Sequence, residues 1–299
     1  MTATAVRGRR RPVTAGLTAA AVTWAARRVL GGLDPGRAAR WTRINHRGEP
    51  ISLLEGPAVA AGLLAGAVAG RGGRAAVAGA VATLGGAVLG LVDDLSEDAA
   101  RSRKGLRGHL GALAHGELTT GGLKVLGIGG TSLVAAAVAT PSRGSGSLAR
   151  TAWLGDVLVS GALVAATANL VNLLDLRPGR ALKAGSVLSV AGLAGAGASA
   201  AASCLGAAGA AISADLDERD MLGDGGANAL GALAGTALVL SCPRPARLGL
   251  LAGAIALTVA SERVSFTAVI ERTPWLRALD MAGRRQGSPA SADGEGDRS

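Results

Sequence analysis

The sequence predicts an all-α fold: a polytopic membrane bundle of about nine to ten transmembrane helices with catalytic loops on the cytoplasmic side. Three observations predict it. The 299-residue chain is 49% hydrophobic but only 17% charged, whereas soluble domains carry about 25% charged residues. One Phe, four Trp and no Tyr are too few to fill the core of a large β protein. The apolar residues also fall into about nine runs, many near the length of roughly 20 residues that a membrane span needs. The same figures exclude a water-soluble α/β enzyme. Disorder is excluded by the apolar content. A collagen is excluded because the 47 glycines follow no three-residue period.

The runs are 14–33, 56–70, 75–92, 121–140, 152–173, 181–198, 200–214, 227–241 and 248–260. The first follows Arg7, Arg9, Arg10 and Arg11, as a signal peptide would. It has no small-residue cleavage site and is interrupted by Arg27 and Arg28, so it reads as an uncleaved span. Small residues throughout let helix backbones approach closely in lipid. Pro178-Gly179 ends the fifth run, and the boundary between the sixth and seventh falls near Ala198. After the ninth, Val264, Phe266, Val269, Ile270, Trp275, Leu276 and Leu279 recur near helical spacing among arginines. That pattern predicts an interfacial helix pair broken near Pro274, either a lid or a surface anchor. Residues 1–286 form one membrane domain, with 264–286 as its cytoplasmic or interfacial helical segment. Residues 287–299, rich in Ser, Gly and Asp, read as a disordered tail. Cys204 and Cys242 read as small buried hydrophobes.

The net charge of +10 is spread in short clusters between apolar runs. It forms no single basic face with interleaved aromatics, so the partner is a membrane and not a nucleic acid. One set of loops carries Arg37, Arg40, Arg43, Arg47, Arg101, Arg103, Lys104, Arg107, Arg177, Arg180, Lys183 and Arg219. The other carries only Arg71, Arg74, Arg143, Arg150, Arg244 and Arg247. The positive-inside rule puts the first set in the cytoplasm of a multi-pass plasma-membrane protein. The N-terminal arginines then lie outside. Either the first run does not span, or the rule is overridden there.

Four groups of residues carry chemistry. Asp93 and Asp94 in GLVDDLSED end the third run. Adjacent carboxylates at a membrane boundary repel and lose hydration, and a divalent cation relieves both costs; a solvated helix end gives the same pattern. Asn169, Asn172 and Asp175 recur every three residues as the fifth run ends, which marks either a site or interhelical hydrogen bonds. Asp224 in GDGG precedes an apolar helix. There a carboxylate can hold a metal while the helix N-terminus offers its amides to a phosphate. Arg47 in NHRGEP, Lys104 in RSRKGLRGHL and Lys183 suit a diphosphate or, equally, a topology anchor. His46, His109 and His115 lack metal-ligand spacing.

The ordered set of a DD span end, a KGL segment, NxxNxxD and GDxG opening a span resembles one family across most of the chain. It is the polyprenyl-phosphate N-acetylhexosamine-1-phosphate transferases, the MraY/WecA-like family. The resemblance implies an Mg²⁺-dependent enzyme that moves a phospho-N-acetylhexosamine from a UDP-sugar to undecaprenyl or another polyprenyl phosphate. UMP is released, at the cytoplasmic membrane face, in cell-envelope glycan synthesis. By resemblance Asp224 is the Mg²⁺-binding aspartate. Asp93 and Asp94 are the acidic pair that meets the lipid phosphate, with Asp94 sharing the metal. Asn172 and Asp175 belong to the nucleotide-sugar loop, and Lys104, Arg47 and Arg263 supply positive charge. A homodimer stays open.

The chain departs from the family at Leu176 and Pro178, where a glycine and a second aspartate belong, at Ala227 in place of a serine, and in lacking the histidine-rich loop. These departures predict a divergent member with another sugar or lipid. They also motivate an alternative: a non-catalytic relative that binds lipid-linked precursors or recruits envelope-assembly partners. A transporter would place charges near the bilayer midplane and repeat its halves. Here the acids sit at run ends and no repeat is present.

Overall fold

The computed structural model describes residues 3–70, 72–96, 120–142 and 144–285. Lys104, His109, His115 and the 287–299 tail lie outside them. The helices are α1 (Ala3–Leu30), α2 (Pro35–Ala38), α3 (Glu55–Gly70), α4 (Arg74–Ser96), α5 (Thr120–Ala139), α6 (Ser147–Leu174), α7 (Arg180–Gly192), α8 (Ala198–Leu216), α9 (Gly223–Ser241), α10 (Arg244–Ser261), α11 (Phe266–Arg272) and α12 (Pro274–Met281). Of the described residues, 79% are helical. Each of the nine apolar runs has its main part on one of the longer helices, though the sixth runs on through the turn after α7, and the break expected near Pro274 separates α11 from α12 at Thr273.

Fewer helices than the nine or ten expected have the length and hydropathy of a membrane span on their own. Among the described residues four are long and apolar enough to cross a membrane: α4, α5, α6 and α8. A fifth is added if α10 and α11, bent by 97° to each other, count as one span. The others fall short for separate reasons. α1 carries Arg11, Arg27 and Arg28. α9 carries Asp224 and Asn228. α3 and α7 have only 16 and 13 residues. α7 stops because Leu193–Gly197 turns the chain before α8 begins.

The fold also departs from pure helix. Strands β1 (Thr42–Ile44) and β2 (Pro50–Ser52) pair antiparallel, with Arg43 opposite Ile51. The NHRGEP segment makes their turn. The Asn45 side chain accepts the amides of Arg47 and Glu49, each at 2.9 Å. Ser52 continues the ladder to the α8–α9 loop, where Met221 donates to its carbonyl at 2.8 Å.

Helix α9 is the centre of the bundle. Every residue from Gly225 to Val239 is buried, against α3, α4, α5, α6, α7 and α8. Water drives no apolar association inside lipid, so packing rests on small residues and close backbone approach. Gly90 of α4 shows how close: a Cβ there would lie 2.3 Å from the Asp224 carbonyl oxygen. Large apolar residues such as Val68, Leu84, Val88, Leu158 and Val187 face outward, as they would toward acyl chains. Both cysteines are free, Cys204 buried and Cys242 partly so.

The longer helices alternate in direction. The C-terminal ends of α1, α4, α6, α8 and α10 gather with the N-terminal ends of α3, α5, α7 and α9. Among the described residues nearly all the acids are at this end. The C-terminal segment folds across it. Arg180 holds Asp280 through two bonds of 2.7 and 3.0 Å, and Arg284 adds a third at 2.6 Å. Lys183 caps α12 by donating to the carbonyls of Leu279, Asp280 and Ala282.

Candidate functional site

Gly223 opens α9 with φ +59°, a conformation that suits glycine. The next amides enter the first helical turn, where they have no partner within the helix. Asp94 takes two of them: its Oδ1 accepts the Asp224 amide and its Oδ2 the Gly225 amide, each at 2.9 Å. The Gly223 amide faces the Asp175 carboxylate. The α9 N-terminus is therefore filled by carboxylates of the chain itself, and the expectation that its amides receive a phosphate is corrected accordingly.

Asp93 and Asp94 divide their tasks because neighbours on a helix point in different directions. Asp93 accepts from Lys124 Nζ of α5 at 3.1 Å, and the same ammonium contacts the Asp224 carboxylate. Lys124 is 13% exposed, so its charge is largely withdrawn from water. Two carboxylates on α4 and α9 thus converge on one cationic point. Arg43 of the hairpin donates to the Asp94 carbonyl and covers the end of α4.

A cavity of about 510 Å³ opens from this point. Asp93, Lys124, Asn172 and Asn228 stand at its head. Val125, Ile128, Ala165, Leu173, Ile255 and Val259 line the rest, between α5, α6 and α10. Asn169 also lines it and donates to Thr258 Oγ1 at 3.2 Å, an interhelical bond. Asn172 keeps a buried Oδ1 with no hydrogen-bond partner.

Asp175 departs from the face it was expected to share with Asn169 and Asn172. Helix α6 ends at Leu174, and Asp175 lies beyond it, with ψ 22°. It lines a second, smaller cavity of about 160 Å³ with His46, Arg177, Asp215 and Glu218. Burial pushes its carboxyl well above the usual range, reinforced by the charges of Asp215, Asp224 and Asp94. Burial and Arg177 hold His46 below its usual value. Beneath this cavity Glu55 is fully buried with neither carboxylate oxygen hydrogen-bonded.

Of the cations singled out in the sequence, Arg47 pairs with Glu218 at 2.9 Å and donates to the Arg285 carbonyl. Through Glu218 it touches the wall of the small cavity, and it does not reach the Asp93–Asp224 point. Arg263 is exposed at the turn after α10, beside Glu262, which lines the groove. Lys104 lies outside the described residues. Lys124 and Glu55 were not singled out, and Arg43 was read only as a topology signal. For Lys124 the signal was available: a lone cation inside an apolar run is costly unless acids meet it.

Among the described residues no group of three or more His, Cys, Asp and Glu side chains is set to hold a metal ion. A smaller donor set remains. Mg²⁺ binds through one or two carboxylates and takes its other ligands from water and substrate phosphate. Asp93 and Asp224, which already share one cation, fit that requirement. Asp94 does not, since both its oxygens are committed to amides.

No protein-family model matches the chain, and no curated protein matches it in sequence.

Proposed function

We propose that the chain is a divergent Mg²⁺-dependent transferase of the kind its motifs resemble, passing a phospho-N-acetylhexosamine from a UDP-sugar to a polyprenyl phosphate. It is a multi-pass protein of the plasma membrane, with the nine longer helices of the described residues embedded and the acid-bearing end in the cytoplasm. One observation carries the reading. Asp93, Asp94 and Asp224, distant in sequence, meet at one helix start, at the head of an apolar groove that runs between helices. A phosphate on a long isoprenoid chain has that shape.

In this reading the groove holds the lipid tail, and Lys124 receives the lipid phosphate and offsets its repulsion from the donor diphosphate. Asp93 and Asp224 would hold Mg²⁺, which supplies charge neutralisation at the diphosphate when bound. Asp94 holds the α9 turn so that Asp224 keeps its direction. Asn172 offers an unfilled acceptor at the groove head, and Asp175 borders the small cavity on the donor side, where Arg47 holds the lining residue Glu218.

A second reading has its own support. The Lys124 ammonium already satisfies Asp93 and Asp224, as suits a relative that binds lipid-linked precursors without turnover. One assay separates the two. UMP release is measured from UDP-N-acetylhexosamines with undecaprenyl phosphate and Mg²⁺, for the wild type and Asp224→Asn. Release that requires the lipid and is lost in the variant supports the transferase. Lipid binding without release from any donor supports the second reading. Release that is indifferent to Asp224 sinks the site as drawn.

A further inference from the structure

A second large cavity lies at the other end of the bundle, among charged groups. It measures about 740 Å³, within the range of small-molecule sites. It sits where α5 and α9 end and α6 and α10 begin. Its apolar wall includes Val239, Leu240 and Trp153, and its polar groups are Asp156, Arg244 and Arg247.

The charges do not balance. Arg244 and Arg247 both address a single carboxylate, Asp156, at 3.3 and 3.8 Å. One positive charge is left over. Arg247 is only 11% exposed. Its Nη1 donates to Ser160 Oγ at 2.5 Å, but its Nε is buried without an acceptor. A buried guanidinium N–H left unmatched is costly, and a bound oxyanion would remove the cost.

Position narrows the ligand. α5 and α6 are two of the helices able to cross a membrane, and the cavity lies at their shared end, where a spanning helix would meet the headgroups. Trp153, a residue type favoured at that depth, is fixed by its Nε1 donating to the Thr140 carbonyl at 2.9 Å. Surplus guanidinium charge beside an apolar wall suits an anionic headgroup with acyl chains. It suits neither a neutral lipid nor a freely soluble ion.

We propose that this cavity binds the phosphate headgroup of an anionic phospholipid, held by Arg247 and Arg244, at the end of the bundle opposite the acid cluster. Asp156 acts as the internal competitor for the same guanidinium groups.

The test is lipid retention by the full-length protein in detergent, read by native mass spectrometry and by thermal unfolding. Phosphatidylglycerol, phosphatidylcholine and inorganic phosphate are compared at equal concentration. The expected result is retention of and stabilisation by phosphatidylglycerol alone. Arg244→Gln, at the more exposed of the two arginines, and Arg247→Gln should each weaken it roughly tenfold or more, the worth of one charge-assisted contact. Asp156→Asn should strengthen it, which a purely structural ion pair would not do. Equal retention of both lipids overturns the proposal. So does stabilisation by inorganic phosphate equal to that by phosphatidylglycerol, or unchanged binding in a folded Arg244→Gln/Arg247→Gln protein.

Discussion

Asp94, at the end of α4, closes the first turn of α9 by accepting the amide of Asp224 at 2.9 Å and that of the following glycine at the same distance. A carboxylate against a helix N-terminus is favourable both as a hydrogen-bond acceptor and as a charge. The contact also fixes the angle at which Asp224 leaves the helix. Replacing Asp94 with Ala should cost roughly 1–3 kcal/mol for each amide left unpaired. The expected outcome is a lower melting temperature in detergent and loss of UMP release. An unchanged melting temperature would show that the contact does not hold α9.

Lys124 tests the meeting of the acids directly. In Lys124→Met, Asp93 and Asp224 lose their shared cation and repel each other. Divalent metal should then bind more tightly, so that Mg²⁺ raises the melting temperature of the variant more than that of the wild type. Adding Asp224→Asn should abolish the gain. Transferase turnover should fall in the single variant, because the lipid phosphate loses its cationic partner.

Gly90 sets the distance between α4 and α9. The methyl group of Gly90→Ala would stand 2.3 Å from the Asp224 carbonyl oxygen, so the helices must separate. Overpacking of this kind costs about 1–3 kcal/mol. The measurement is thermal unfolding alongside UMP release, and activity should suffer more than stability because Asp94 would lose its reach.

Asp280 anchors the C-terminal segment. Arg180 and Arg284 are 6% and 8% exposed, and Asp280→Ala leaves both without their carboxylate. Breaking such a pair costs roughly 3–5 kcal/mol. Limited proteolysis should cut near α12 first. Arg180→Met and Arg284→Met together with Asp280→Leu should recover much of the loss, since no charge of the cluster is then left buried alone.

Asp175 gives a pH signature. Its folded carboxyl titrates above the usual range because of burial and then Asp215. The folded state therefore holds the proton more strongly than the unfolded chain does. The resulting stability is fully present below the ordinary carboxylate value of about 3.9 and is lost as pH rises toward the folded value. Melting temperatures across that window should fall with pH in the wild type and stay flatter in Asp175→Asn.

The helices were legible because their runs are long and uniformly apolar, and hydropathy alone finds them. Their ends were not. The Leu193–Gly197 turn is made of the same Ala, Gly and Leu as the helices around it, so no composition change marks it. The β1–β2 hairpin was hidden by its brevity and by Arg43 and Arg47, which break any visible alternation. Asp93, Asp94 and Asp224 were legible as costly acids at run ends. Lys124 was not, because one cation in an apolar run was read as part of the run. The split between Asn172 and Asp175 was not legible either, since three-residue spacing implies a common face only while the helix continues, and α6 ends between them.

The alternation of helix direction has a consequence of parity. Asp94 lies at the end of a helix arriving at the acid-bearing face, and Asp224 at the start of one leaving it. Among the described residues four helices, α5 to α8, lie between. An even number is obligatory. Gaining or losing one crossing there would send Asp224 to the far side of the bundle, whatever its local sequence. Any shortened or lengthened version of this chain that keeps the junction must differ by helices in pairs, and counting crossings between the two aspartates tells whether it has been kept.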